Sequence, residues 1–321
     1  MIKERLKLIS LLIISFLLLL LVSCSAHTPS DKGKLKSAEP QNKMESQKRM
    51  SAEGNPGILK ETEKNLTSGV ATQVPWENDE GFKSAQQKKG TSEMLAAYRT
   101  VLKDPLSGEE ENVHLAARYL AGNMVEPGQV FSQNRQIGPY TEERGFKTGP
   151  TYSGANLVNT VGGGVCKIAS TLYNVVVLSN LQVVERHNHS MPVPYVPYGQ
   201  DATVFYGQSD FKFKNDTGSP ILIWAQGIDN ILYIGFYSKE KAPRVEWHHE
   251  ITNKQAAPTI YRNNTLLPAN SEKKVAEGMD GATVKSWVTI EKQDGTKTDK
   301  QLGKSYYKPF PNIVEKGIVV K

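Results

Sequence analysis

A cysteine that follows three consecutive glycines is the residue in this sequence best placed for covalent chemistry. Cys166 comes directly after Val165 and the glycines 162–164, and the pattern beyond it predicts a helix that starts at this point. The first N–H groups of a helix lack internal partners and its dipole is positive there, so both favour a thiolate. Glycines let the backbone approach a ligand, and free N–H groups at the bend could hold an oxyanion. We therefore predict a reactive thiol at Cys166, with Gly163 and Gly164 as binding residues.

Two histidines supply a candidate base for this thiol. His187 and His189 lie two positions apart in a stretch with strand period, so their side chains should point to the same side. Either could take the proton of Cys166, with an orienting group behind it. Arg186 and Asp201 are close in sequence and are predicted to contribute to the site. The arrangement is that of a cysteine–histidine acyl-transfer site, and the sequence does not choose between the two histidines.

Two other interpretations of Cys166 stay open. It could be a small packed residue, or it could bind zinc together with both histidines, since three ligands and one open position are an accepted pattern. On the predicted helix Cys166 shares a face with Ser170 and Tyr173, which is more polar than the opposite face. A packing cysteine would more often lie on the apolar face. Ser170 and Tyr173 are therefore predicted binding residues, and the favoured interpretation requires no cofactor and no metal.

The elements that must position these residues predict an α+β fold. Apolar residues recur at helical spacing after Val165, so a buried helix carrying the cysteine should pack on a mostly antiparallel sheet. Two earlier helices are predicted, one starting at Ser92 and running to Arg99, and one over Asn112 to Gly122 with Asn112 as its cap. Strands are predicted over Val130 to Gly138, Leu181 to Ser190, Ala202 to Phe205, Phe211 to Lys214, Ile221 to Ala225 and Ile231 to Tyr237.

The chain divides by composition into four parts. Residues 1–23 form a predicted signal peptide, and residues 24–90 a disordered tether that is too polar to offset its ordering entropy. Residues 91–240 form the domain with the cysteine. Beyond Lys239 the sequence becomes more polar, and residues 250–321 are predicted to be a small all-β module with strands such as Thr259 to Arg262 and Ala282 to Glu291.

The first residues predict export and lipid attachment. Three basic residues precede an apolar run from Leu11 to Val22, which is short for a bilayer span. The run ends in Leu21-Val22-Ser23-Cys24, the lipobox pattern of a bacterial lipoprotein. Cleavage before Cys24 would leave a diacylglycerol on its sulfur and hold the protein to the outer face of the plasma membrane. An uncleaved membrane anchor is the alternative, and both place the remaining chain outside the cytoplasm.

The number of cysteines and the net charge limit which disulfides and which binding partners are expected. The 321 residues include only two cysteines, and if lipid modifies Cys24, no disulfide can form within the chain. The formal net charge is +6 and the isoelectric point is about 9.0. Such basicity suits contact with anionic lipid headgroups or wall polymers. No nucleic-acid-binding motif is present, so nucleic acid is not a predicted partner.

Several sequence blocks between Phe131 and about Ile223 resemble the VanW family. They are Phe131-Ser132, Gly138-Pro139, Gly162-Gly163-Gly164-Val165-Cys166, Ser170-Thr171-Leu172-Tyr173-Asn174, Glu185-Arg186-His187-Asn188-His189-Ser190, Tyr195-Val196-Pro197 and Asp201-Ala202. The resemblance implies a cysteine L,D-transpeptidase of peptidoglycan, with Cys166 as nucleophile and His187 or His189 as base. Lys167 stands where the family usually has Gln, and Met191 where it usually has Arg, which indicates a subgroup.

The C-terminal part resembles a glycine-rich β module found in wall-associated proteins. The resemblance covers Thr265 to Gly317 and includes Glu277-Gly278, Asp294-Gly295 and Tyr306-Tyr307-Lys308-Pro309. This resemblance implies glycan as a partner, whereas the VanW resemblance implies peptidoglycan stem peptides and the lipid at Cys24 implies the membrane. Two function classes remain: an acyl-transferring enzyme that forms a thioester, and a non-catalytic wall-binding or glycopeptide-resistance accessory lipoprotein.

Overall fold

A computed structural model describes residues 67–102, 105–153 and 156–318. These residues fall within one compact unit, Leu59–Lys321. The predicted signal peptide, Cys24 and the tether as far as residue 66 lie outside the described residues. Within the described part of the chain, no helix has the length and hydropathy needed to cross a bilayer.

An antiparallel sheet of five strands forms the centre of the fold. The strands are β1 (Gly69–Val70), β2 (Glu93–Val101), β3 (Met124–Val125), β9 (Ile221–Ile228) and β10 (Ile231–Ser238). Their spatial order is β1-β2-β10-β9-β3, and every pair is antiparallel. The central strand β10 is apolar along most of its length because both faces of the sheet are covered.

The helix that carries the cysteine packs on one face of this sheet. The helices are α1 (Glu80–Lys89), α2 (Glu109–Leu120), α3 (Gln133–Gln136) and α4 (Cys166–Leu178). Along α4, Ile168, Leu172 and Val176 are fully buried and contribute to the main core. This helix contacts β2 and β10, and α2 contacts β9. The predicted α+β fold, with the cysteine helix on a mostly antiparallel sheet, is confirmed.

Smaller sheets surround the cysteine helix. The strands β4 (Val130–Ser132), β7 (Gln182–Glu185) and β8 (Lys212–Lys214) form one sheet in the order β4-β8-β7. The strands β5 (Thr148–Ser153) and β6 (Asn156–Val161) form an antiparallel pair that leads into the glycine turn before Cys166. A short 3₁₀ turn spans Glu142–Arg144.

The C-terminal part contains strands only, as the sequence predicted. The strands β11 (Arg244–Gln255), β14 (Gly281–Glu291) and β15 (Lys297–Tyr307) form one sheet, and β12 (Thr259–Asn264), β13 (Glu272–Ala276) and β16 (Asn312–Gly317) form another. The pair β12–β16 is parallel and the other pairs are antiparallel. Val288 and Ile290 of β14 belong to the same hydrophobic core as α4. Strand β11 begins at Arg244, inside the range 240–250 in which the domain boundary is predicted, and the boundary stays a prediction.

The predicted tether is wrong for residues 67–90, which form β1 and α1. Trp76 and Phe82 are buried there, and the indole N–H of Trp76 donates to the Tyr237 hydroxyl at 2.8 Å. Asp79 caps α1 by accepting a hydrogen bond from Phe82 N at 2.7 Å. The segment is polar on average, but Val74, Trp76 and Phe82 cover one face of the central sheet. The average composition of residues 67–90 therefore led to the wrong prediction that they are disordered.

The helix predicted from Ser92 to Arg99 is also wrong, because this stretch is strand β2. The strand lies between β1 and β10, and its backbone groups pair with both neighbours. Helix propensity differences are small for its residues, and two flanking strands offer hydrogen bonds that outweigh them. A local pattern could not reveal these partners, which lie more than 100 residues further along the chain in the case of β10.

Three predicted strands near the site are shorter than expected or irregular. The strand predicted over Val130 to Gly138 ends at Ser132, whose hydroxyl accepts from Arg135 N at 3.1 Å and starts helix α3. The stretch from Ala202 to Phe205 forms isolated bridges only, one of them between His187 and Thr203. The strand predicted over Leu181 to Ser190 ends at Glu185. Both histidines therefore lie beyond a regular strand, and the prediction that they share one face does not hold.

Candidate active site

The glycine turn before Cys166 has no room for side chains. Gly162 and Gly164 have φ values of 81° and 101°, which L side chains rarely adopt. A Cβ on Gly163 would lie 2.2 Å from the carbonyl carbon of Gly149, and one on Gly164 would lie 2.7 Å from Cγ of Glu109. These contacts explain why glycine occupies each position of the turn.

Asn112 anchors this turn to helix α2. Its side-chain nitrogen donates to the carbonyl oxygens of Gly163 at 2.9 Å and Lys147 at 2.8 Å, and its oxygen accepts from Lys147 N at 2.7 Å. The sequence suggested Asn112 as a helix cap, but α2 begins at Glu109 and is capped by Gly108. The buried amide instead fixes where the cysteine helix begins.

Cys166 is the first residue of α4 and has a free, partly exposed thiol. Its Sγ lies 3.3 Å from the hydroxyl oxygen of Thr203 and 3.5 Å from the carbonyl oxygen of Val204. Lys167 N donates to Gly164 O at 3.0 Å, whereas the N–H of Cys166 itself has no acceptor among the described residues. That free N–H at the positive end of the helix is suited to holding an oxyanion beside the nucleophile.

His189 is the histidine that faces the thiol. Its Nδ1 lies 2.7 Å from Oδ2 of Asp201, and the same carboxylate oxygen accepts from His189 N at 2.6 Å. His189 and the Cys166 thiol line the same cleft, and each shifts the pKa of the other. Because Asp201 engages Nδ1, Nε2 is the nitrogen left for the thiol. The structure thus brings together Cys166, His189 and Asp201, the residue types that can act as a nucleophile, a base and an orienting acid.

The electrostatic interactions among Cys166, His189 and Asp201 favour an ion pair between the thiol and the imidazole. Burial by itself would raise the pKa of the Cys166 thiol, but the hydrogen bond and charge of His189 outweigh it, so the pKa lies below its usual value. Burial by itself would lower the pKa of His189, whereas Asp201 and the thiolate raise it to about 9. Both pKa shifts favour the pair of thiolate and imidazolium, which is the reactive form of a cysteine nucleophile.

The Asp201 carboxylate is buried and fully engaged. Burial alone would raise its pKa, but His189 and Arg186 hold that pKa below its ordinary value. Arg186 donates to Oδ1 at 3.0 Å and to the Asp201 carbonyl oxygen at 2.8 Å. The hydroxyl of Tyr307 donates to Oδ1 as well. With Oδ1 occupied in this way, Oδ2 is directed at the histidine ring.

The side chain of His187 pairs with Glu185 and not with the Cys166 thiol. Its side chain is 48% exposed, and Nε2 lies 3.0 Å from Oε1 of Glu185. Lys212 holds the other oxygen of Glu185 at 2.7 Å. The zinc hypothesis required His187 beside Cys166, and the structure does not bring these two together. Within the described residues, no group of three or more His, Cys, Asp or Glu side chains is arranged to hold a metal ion.

Three of the predicted binding residues lie behind the site. The Ser170 hydroxyl donates to Ala202 O at 3.0 Å and accepts from Ala202 N at 3.0 Å, which ties α4 to the segment after Asp201. The ring of Tyr173 is buried beneath the Arg186 guanidinium, 4.9 Å from its centre. These residues and Arg186 support the catalytic geometry from the interior, whereas Gly164 lines the cleft itself.

A cleft of about 470 Å³ opens over Cys166 and His189. Its walls are mostly apolar and aromatic, and Phe205 and Tyr206 at its rim are 60% and 50% exposed. Such a cleft fits a peptide or an acyl group better than a highly charged ligand. The lining residues besides Cys166 and His189 include Glu109, Tyr140, Thr160, Gly164, Tyr195, Thr203, Val204, Phe205 and Tyr206.

The part of the chain that contains Cys166 and His189 matches a known protein family. Residues 108–237 match the family model described as "VanW like protein". The chain carries a VanW-like domain. The resemblance predicted from the glycine–cysteine and Glu-Arg-His-Asn-His blocks is confirmed, and the domain contains Cys166, His189 and Asp201.

Two curated relatives share the VanW-like domain. The chain is 37% identical over 150 residues to an uncharacterized protein, YoaR, of Bacillus subtilis strain 168, covering 47% of this chain and 50% of the relative. It is 31% identical over 138 residues to the "Vancomycin B-type resistance protein VanW" of Enterococcus faecalis strain V583, covering 41% of this chain and 50% of that protein. The chain thus spans about half the length of the curated relatives it matches.

Two solved structures are similar to another part of the fold. One is a G5 domain of an IgA1 protease, with 22% identity, a TM-score of 0.16 and coverage of 23% of this chain and 90% of that chain. The other is HP0197-G5, with 17% identity, a TM-score of 0.14 and coverage of 23% and 99%. At these values the likeness carries no argument about function.

The VanW-like domain is incomplete as a structural unit when it is cut at its matched ends. Strand β2 lies before residue 108, yet it pairs along its length with β10. Tyr307, which donates to Asp201, lies 70 residues beyond the end of the match at residue 237. No sequence pattern indicated Tyr307 or Thr203 as members of the site, because tertiary contacts alone set their partners.

The residue after the nucleophile is an unusual buried lysine. Lys167 is 3% exposed, and burial lowers its pKa to about 8 although nearby Glu109 acts in the opposite direction. Burial also raises the pKa of Glu109, which lines the cleft. In this VanW-like domain the subgroup difference at Lys167 therefore places a titratable cation and an acid next to the cysteine turn.

Proposed function

We propose that this protein is a cysteine-dependent acyl transferase of the L,D-transpeptidase kind that acts on peptidoglycan stem peptides. The single observation that carries the proposal is that Cys166 lies at the wall of an open cleft together with His189, whose ring is bonded to the buried Asp201 carboxylate. A packed structural cysteine requires neither a buried base nor an access route, so this arrangement favours catalysis over the structural interpretation.

The geometry supports two chemical steps. The Cys166 thiolate attacks the carbonyl carbon of the third residue of a tetrapeptide stem, and the free N–H of Cys166 is suited to stabilise the oxyanion. The C–N bond to the terminal D-Ala breaks, the His189 imidazolium protonates the departing amine, and a thioester remains on Cys166. An amine of a neighbouring stem, or water, then attacks the thioester and gives its proton to His189, which releases a 3–3 cross-link or a shortened stem.

The thioester is the species that tests the proposal. Incubation of the protein with purified tetrapeptide stems, followed by acid quench and peptide mass spectrometry, should show the mass of a tripeptide stem on the peptide that contains Cys166. Neutral hydroxylamine should remove this adduct, because it cleaves thioesters. Stems that end in the third residue serve as the matched control and should give no adduct, since they lack the leaving D-Ala.

A non-catalytic role in the glycopeptide response is the alternative that the name of one relative suggests. It predicts that tetrapeptide stems or wall fragments bind in the cleft and are recovered unchanged. Absence of the adduct together with saturable binding of intact stems would therefore support the accessory role and contradict the enzyme.

We also propose that the protein is anchored by lipid at Cys24 on the outer face of the plasma membrane. The proposal rests on the lipobox pattern and on the short apolar run before it. Intact-mass analysis of protein extracted from membranes should show an N-terminus at Cys24 with a diacylglycerol addition. A Cys24→Ala variant is the control and should keep its leader and lack the lipid mass. An unmodified Cys24 with the leader still attached would contradict the lipid anchor.

A further inference from the structure

The end of strand β15 runs beside the loop that carries the base. The side chain of Asn188 donates to Tyr306 O at 3.0 Å, and Lys308 N donates to Ser190 O at 2.8 Å. The residues on both sides of His189 are therefore bonded to the C-terminal β part, which lies outside the VanW-like domain. This places the backbone of His189 under the control of a segment more than 100 residues away in sequence.

Tyr307 carries the contact from this strand into the catalytic residues. Its side chain is 1% exposed, and its ring packs edge-on against Tyr198 at 5.5 Å between ring centres. The hydroxyl donates to Oδ1 of Asp201 and accepts from Gly199 N at 2.9 Å. Burial and the charge of Asp201 raise the pKa of Tyr307 above its usual value. The phenol therefore stays protonated and remains a donor across the working pH range.

Arg186 connects the same strand to the other side of the carboxylate. Its Nη2 donates to Oδ1 of Asp201 at 3.0 Å, while its Nη1 donates to the hydroxyl of Ser305 at 2.7 Å. The guanidinium is only 11% exposed, so it is held in one position by these bonds and by the Tyr173 ring beneath it. Both donors to Oδ1 thus depend on residues of β15.

We propose that Tyr307 and Ser305 are positioning residues of the cysteine site, so that the C-terminal β part completes the catalytic centre of the VanW-like domain. A carboxylate with one bonded oxygen can rotate about its side-chain torsions, whereas donors on both oxygens fix one orientation. Tyr307 and Arg186 hold Oδ1, which keeps Oδ2 on His189 and the imidazole on Cys166. The inference rests on the proposed function and adds to it a requirement for β15.

The test is the pH dependence of Cys166 alkylation in the full chain with Tyr307→Phe. Iodoacetamide is the probe, and the labelled fraction of the Cys166 peptide is followed by mass spectrometry, which separates it from Cys24. In the unchanged protein the ion pair should keep Cys166 reactive well below the pH at which a free cysteine loses reactivity. Tyr307→Phe keeps the ring and removes the hydroxyl. The low-pH part of the curve of alkylation rate against pH should therefore move toward that of a free thiol. We expect alkylation near pH 6 to slow about tenfold.

The matched control is the same change one residue earlier, Tyr306→Phe. The Tyr306 side chain is 51% exposed on the opposite side of β15, and its profile should overlay that of the unchanged protein. Ser305→Ala, which removes only the acceptor of Arg186, should shift the low-pH part of the curve in the same direction by a smaller amount. Thermal unfolding of each variant separates a change of site geometry from loss of fold, and Ser305→Ala serves as the test if Tyr307→Phe unfolds.

The outcomes distinguish this inference from the proposed function. Slow, free-thiol behaviour of Cys166 in the unchanged protein would count against the enzyme itself. Fast, low-pH labelling in the unchanged protein with identical profiles for Tyr307→Phe and Ser305→Ala would overturn the positioning role alone. In a transpeptidation assay the positioning role predicts that Tyr307→Phe lowers kcat about tenfold and leaves KM nearly unchanged, because Tyr307 does not line the cysteine cleft.

Discussion

Replacing Cys166 with alanine should abolish acyl transfer on stem peptides while leaving the stems bound. The thioester cannot form without the sulfur, and loss of a covalent nucleophile typically lowers turnover by about 10⁴-fold or more. The change removes one atom from a cleft of about 470 Å³ whose aromatic walls stay intact, so affinity for the stem should remain. Turnover is measured by chromatography of muropeptides, and binding by calorimetry with the same tetrapeptide stems.

The other cysteine supplies the matched control for this substitution. Cys24→Ala removes the only other thiol of the chain and should keep full turnover on soluble stems. Cys166→Ser, which keeps nearly the same shape, should be as inactive as Cys166→Ala because a hydroxyl does not ionise beside His189 near neutral pH. Full transpeptidation by Cys166→Ala would end the enzyme proposal and leave a wall-binding role for the cleft.

The two histidines should respond very differently to alanine. His189→Ala removes the base and the cation that holds the thiolate, and we expect turnover to fall by about 10²- to 10⁴-fold. The alkylation profile of Cys166 should move toward that of an ordinary thiol in the same variant. Asp201 keeps its bond to Arg186, so the buried carboxylate remains paired and the fold should be retained.

His187→Ala is the paired control, because His187 is two residues away and 48% exposed. Its loss removes one surface contact to Glu185, which Lys212 still holds, and should change turnover by less than about threefold. The two variants should be compared on the same stems at the same pH. A large loss with His187→Ala and a small one with His189→Ala would reverse the assignment of the base.

The difference between the histidines also shows why the sequence could not assign the base. Strand period would place His187 and His189 on one face, but β7 ends at Glu185 and the segment beyond it follows irregular contacts with Thr203 and Asp201. A pattern argument holds only while backbone torsions repeat. Where the chain leaves the strand, side-chain direction depends on tertiary partners.

Local sequence patterns were enough to predict the surroundings of Cys166. The glycine turn, the start of α4 and the periodic apolar residues beyond it are local features, and local torsion preferences and capping act over a few residues. The α+β character and the all-β C-terminal part followed from the same kind of local period. The lipobox at Cys24 is likewise local and stays a prediction, because it lies outside the described residues.

The residues that surround Cys166 from distant parts of the chain could not be predicted from local patterns. Asp201 and Tyr307 are separated by 106 positions, and no period or composition signal links them. Strand β2 became a strand because β10 lies beside it, and residues 67–90 became ordered because the sheet offers Trp76 a buried position. Long-range hydrogen bonds and burial are properties of pairs of segments, so they exist only once the chain has brought those segments together.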